Sequence, residues 1–91
     1  RFFVPLDLEI TDDRATLASV ATELSSAGSA IVGVNVEPNK EGKESLNLMI
    51  QVRSRLHLMH IMRALKRIPT VLSVARRLDG DKRIFLPTED R

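Results

Sequence analysis

The stretch VRSRLHLMHIMRALKRIPTVLSVARR, Val52 to Arg77, reads as the end of a strand, a capped amphipathic helix, a Pro-Thr turn and a second strand. Ser54 stands where its side chain can accept a bond from a first-turn amide that has no intrahelical partner. Leu58, Ile61, Met62 and Leu65 recur at i, i+3, i+4 and i+7 and make one apolar stripe. Pro69 forbids continuation of the helix, and Val71 to Ala75 is β-branched enough to pair into a sheet.

The same plan occurs earlier in the chain: a strand from Phe3 to Ile10, a helix from Arg14 to Ala27 and a strand from Ala30 to Glu37. Val4, Leu6, Leu8 and Ile10 alternate with Pro5, Asp7 and Glu9, as in a half-buried strand, and Pro5 predicts that the ladder tightens only after it. Asp12 or Asp13 caps the first helix, whose stripe is Leu17, Val20, Ala21 and Leu24 and whose outer face is small and weakly charged. Gly28 falls where a left-handed helix terminus is expected. In the next strand Val32, Val34 and Val36 are read as facing one side, and Ile31, Gly33 and Asn35 the other. Gly33 there suggests a bulge or a close backbone approach. After the polar loop Pro38 to Lys43, Leu46, Leu48, Ile50 and Val52 alternate inward. Two such halves predict an α+β, ferredoxin-like βαββαβ domain: a four-stranded antiparallel sheet in order 4-1-3-2 with both helices on one face. The expected core is Val4, Leu6, Leu8, Leu17, Leu24, Val34, Leu48, Ile50, Met62 and Leu65. The expected domain is 1–78, with 79–91 a tail that holds at most a short edge strand near Arg83 to Leu86.

With 91 residues there is room for one domain. Composition is ordinary for a folded chain, with 43% hydrophobic and 29% charged residues, and the only aromatics are three Phe. The absence of cysteine excludes disulfides, thiolate metal sites and cysteine nucleophiles. No run approaches the ~20 apolar residues of a membrane span, so a cytoplasmic setting without membrane contact is expected. Charge is unevenly placed: residues 1–52 carry four Lys/Arg against eight Asp/Glu, whereas residues 53–91 carry ten against four.

No phosphate loop, catalytic triad or apolar carboxylate pair is present, so no catalytic residue and no cofactor is assigned. His57 and His60 form an H-x-x-H pair but lack a nearby acid or thiol to complete a ligand set, and they read as surface or partner-contact histidines. Arg63, Lys66 and Arg67 share the outer face of the second helix with Leu56, Met59 and His60. A basic face alone is a solvated face; two long apolar side chains within it suit a partner. Leu56, Met59, His60, Arg63 and Arg67 are therefore the candidate docking residues. The scarcity of aromatics argues against an RNA-stacking module of the same topology.

These residues together resemble an ACT domain, an amino-acid-sensing regulatory module of βαββαβ topology, over the chain up to about Leu78. The resemblance is to the carboxy-terminal ACT domain of the RelA/SpoT family, which makes and degrades guanosine tetra- and pentaphosphate. Asp13-Arg14-x-x-Leu17 resembles that family's D-R-x-G-L-L junction, and Asn35-Val36 with Lys40-Glu41-Gly42 its second strand and hairpin. Arg55-x-His57-Leu58-x-x-Ile61-Met62-Arg63 followed by Ile68-Pro69-x-Val71-x-x-Val74-x-Arg76 is the diagnostic part and looks most like the bifunctional synthetase/hydrolase branch. The resemblance implies a non-enzymatic domain regulating a GTP pyrophosphokinase in the stringent response, with the alternative of an amino-acid-binding module of a biosynthetic enzyme. It implies a homodimer joined at the strand carrying Ile31, Gly33 and Asn35. Further implied partners are other domains of the parent enzyme, the ribosome or tRNA, or a carrier protein. A small ligand would meet the chain at Asp13, Arg14, Ala15 and Thr16. There the junction glycine of ligand-binding relatives falls at Thr16, whose Cβ crowds the space an amino acid would use.

Overall fold

The computed structural model describes residues 2–39 and 42–77. The elements run β1 (Phe2–Ile10), α1 (Asp13–Ser26), β2 (Ala30–Pro38), β3 (Glu44–Val52), α2 (Arg55–Lys66) and β4 (Val71–Arg76). The antiparallel sheet has the order β2-β3-β1-β4, which is the expected one. The expected tail from 79 onward lies outside the described residues.

Alternation sends Val4, Leu6, Leu8 and Ile10 of β1 and Leu46, Leu48, Ile50 and Val52 of β3 to one side of the sheet, where all are buried. Val20 and Leu24 of α1 and Leu58, Ile61 and Leu65 of α2 close over them in a single core, so both helices lie on that face. Leu17 and Met62 pack at its margin, half-buried. Val34 is not in the core. It pairs with Leu48 and so faces the helix side, but β2 is an edge strand of the described sheet and α1 leaves Val34 47% exposed.

Pro5 does not delay the ladder, since β1 pairs with β3 from Phe2↔Val52 onward. The Pro5 carbonyl accepts from the Arg77 amide at 3.0 Å. Within a strand residue N and C=O point the same way, so the missing donor of Pro5 faces β4 and leaves the β1–β3 bonds intact.

Helix ends follow local chemistry. Ser54 caps α2 by accepting from the His57 amide at 3.1 Å. Asp12 occupies the cap position of α1 in a left-handed conformation (φ 54°), without a side-chain cap bond. At the other end Gly28 is left-handed (φ 76°), and the Ser29 amide returns to the Leu24 carbonyl at 2.9 Å.

The face away from the helices carries a polar row. Asn35 of β2 donates to Asn47 of β3 (3.2 Å), and Asn47 donates to Asp7 of β1 (2.7 Å). The Asp7 carboxylate in turn accepts Nε and Nη2 of Arg77, just beyond β4, at 2.9 and 2.7 Å. Asn47 points outward as its register requires, yet these neighbours bury it.

Candidate functional site

The outer face of α2 is built as its spacing predicts. The stripe Leu58, Ile61 and Leu65 turns inward, which sends Leu56, Met59, His60, Arg63 and Arg67 to solvent. Leu56 is 60% and Met59 52% exposed, a large apolar area for one helix face. The helix contains no acidic residue, and among the described residues no ion pair neutralises Arg63, Lys66 or Arg67. Arg63 and Lys66 in the last turn complement the helix dipole, which accounts for charge there but not for Leu56 and Met59.

His57 departs from its expected surface place: it is buried and ties three segments together. Its Nδ1 accepts from the Arg53 amide at 2.9 Å, and its Nε2 lies 2.6 Å from the Ala27 carbonyl. A ring nitrogen that accepts an amide proton carries none itself, so the hydrogen is on Nε2 and is donated to Ala27. The clamp fastens the start of α2 to the end of α1. His57 is thereby unavailable to pair with the exposed His60, and the described residues hold no cluster of three potential metal ligands.

At the β1–α1 junction, Arg14 and Ala15 are exposed and Thr16 is wholly buried. The Thr16 hydroxyl donates to the Thr11 carbonyl at 2.6 Å. Having one proton, it completes the 2.5 Å contact with the Thr70 hydroxyl by accepting. The Thr11 amide also donates to the Thr70 carbonyl at 3.0 Å. The side chain of Thr16 thus fills the junction and hydrogen-bonds it to the turn before β4. Sequence reading identified Thr16 but not Thr70, which lies 54 positions away.

Along β2, the three residues expected at a dimer edge do not share a face. A bulge places Ile31 opposite Ile50 but Gly33 opposite Met49, so Ile31 packs at the core margin while Gly33 and Asn35 face the helix-free side. The exposed side chains of this edge are Val32 (53%), Val34 (47%) and Val36 (39%). α1 packs against the strand and presents the small exposed residues Ala15, Ala18, Ser19 and Thr22.

A family model described as an ACT domain matches residues 1–76. Among solved structures, the chain is similar to the ACT domain of a Chlorobium tepidum GTP pyrophosphokinase, at 22% identity and a TM-score of 0.69, over 84% of this chain and 97% of that one. It is also similar to the C-terminal domain of the Mycobacterium tuberculosis MgtC protein, at 14% identity and a TM-score of 0.68, over 82% and 84% of the two chains. A homoserine dehydrogenase from Thiobacillus denitrificans aligns at 15% identity and a TM-score of 0.70, over 81% of this chain and 16% of the enzyme. These likenesses establish the shared fold. No curated protein sequence matches the chain.

Proposed function

Since the chain belongs to the ACT-domain family, we propose that it is the non-catalytic regulatory domain of a cytoplasmic guanosine tetraphosphate synthetase/hydrolase, a GTP pyrophosphokinase of the stringent response. The observation that carries this reading is the face of α2, where exposed Leu56 and Met59 sit among unneutralised bases. That combination serves association, because apolar anchors give affinity while guanidinium groups orient a partner. The same segment, Arg55 to Arg76, carries the RelA/SpoT-like motif, and the Chlorobium neighbour has the same architecture. In this reading the face docks on another domain of the parent enzyme and transmits nutrient state by changing that contact. The open β2 edge with its exposed valines supports pairing with a second copy.

The alternative is an amino-acid-binding module of a biosynthetic enzyme, favoured by the homoserine dehydrogenase likeness. Thr16 weighs against it by filling the junction. The test is Met59→Ala with Arg63→Glu in the full-length parent. Both side chains lie outside the core, so protein levels hold while guanosine tetraphosphate accumulation during starvation shifts. Unchanged accumulation at normal protein levels would sink the proposal.

A further inference from the structure

At the end of the sheet opposite the β1–α1 junction, the start of β1, the end of β3, the first turn of α2 and the end of β4 enclose an open cavity of about 510 Å³. Phe2 and Ile10 are eight residues apart on β1, so about 26 Å separates this cavity from the junction. Arg55 from the start of α2 and Arg76 from β4 line it, and Arg53 at the end of β3 completes the wall while its guanidinium reaches away to Gly28. Among the described residues no carboxylate lines it. Phe2, on the same face of β1 as Val4 and 58% exposed, forms another wall, while Leu58 is a buried part of the lining.

Each contributor has a structural reason for its place. Phe2 is paired with Val52 and so shares its face of the sheet, whereas Phe3, paired with Gln51, points to the other. The Arg53 guanidinium lies across Gly28, its Nη1 3.5 Å from the Gly28 carbonyl, and a Cβ at Gly28 would meet that nitrogen at 2.9 Å. Arg55 and Arg76 are exposed and have no ion-pair partner among the described residues.

We propose that this cavity binds a phosphorylated aromatic heterocycle, a nucleoside mono- or diphosphate, with its phosphates on Arg55 and Arg76 and its ring against Phe2. Guanidinium forks match phosphate oxygens in pairs, and two of them favour a ligand with more than one negative charge. An amino acid fits poorly, because no acidic side chain among the described residues receives its ammonium group. A purely apolar ligand would leave two cations beside it without counter-charge. The volume falls within the range of about 300–1,000 Å³ typical of small-ligand sites. A phenyl ring tolerates any base, so adenine and guanine nucleotides should bind alike.

The test is titration of the isotope-labelled 91-residue chain with ADP, GDP, adenosine, inorganic phosphate and a tetraribonucleotide, following backbone amides. ADP and GDP should bind saturably, with shifts centred on residues 2–4 and 53–58, and at least about tenfold more tightly than adenosine or phosphate alone, since each holds only half the contacts. Arg55→Ala and Arg76→Ala should keep the folded spectrum and each weaken ADP about tenfold, and Phe2→Leu should weaken ADP but not phosphate. Three results overturn the assignment: no saturation by about 10 mM ADP, phosphate binding as tightly as ADP, or shifts centred outside the cavity. So does a tetranucleotide that binds more than about tenfold tighter than ADP, because that identifies a track for a strand rather than a pocket.

Discussion

The clamp formed by His57 makes a sharp prediction about stability. His57→Leu keeps the volume and apolar character of the site but removes both side-chain bonds, leaving the Arg53 amide and the Ala27 carbonyl without partners. Each stranded polar group costs about 1–3 kcal/mol. Arg53 is exposed and Ala27 only half-buried, so water recovers part of that cost and the sum falls near 2–3 kcal/mol. A chain of 91 residues has roughly 5–14 kcal/mol in total, so the loss is a large share. With a urea dependence of about 1 kcal/mol per molar, the midpoint of unfolding should fall by about 2–3 M. His57→Asn is the informative partner: its amide oxygen stands near the place of Nδ1, accepts from Arg53 again and recovers about half the loss. Unfolding followed by circular dichroism gives both values. If His57→Leu changes stability by less than about 0.5 kcal/mol, the clamp is not what joins the two helices.

Leu48→Ala, at the centre of the fully buried β3 row, should cost about 2–5 kcal/mol through the cavity it leaves, read by the same denaturation. Titration calorimetry with each of the twenty amino acids should show no binding at millimolar concentration, because Thr16 occupies the junction; saturable heat from any one of them refutes that. Sedimentation at high micromolar concentration should show a dimer for the native chain and a monomer for Val34→Lys, with the variant's stability within about 0.5 kcal/mol because Val34 is 47% exposed. A native chain that sediments as a monomer refutes pairing through β2.

Elements with local signals were readable from the sequence alone. The alternation of β1 and β3, the Ser54 cap and the stripe of α2 are each decided within about ten residues, and the same stripe placed Leu56, Met59, Arg63 and Arg67 outward. What was hidden depends on distant partners. Nothing near His57 in sequence reveals the Ala27 carbonyl, 30 positions away, so a buried clamp read as a surface histidine. Val34 alternates like a core residue, and only the limited reach of two helices over four strands leaves it uncovered. The arginine-lined cavity was equally invisible, since Phe2, Arg55 and Arg76 meet only when the start of β1, the start of α2 and the end of β4 are brought together.

The polar row from Asn35 through Asn47 and Asp7 to Arg77 has a consequence for how the chain avoids mispairing. Sliding β3 by one residue would turn Asn47 in among the leucines and push Leu46 or Leu48 out to water. Only one alignment satisfies both amides and the carboxylate, so the row acts as a key that rejects every other. A sheet with an open edge needs such a key, because each passing copy offers a strand that could dock out of step. The key also ties its positions together in descent: a change at Asn47 that strands Asp7 or Asn35 should persist only alongside a compensating change at one of them.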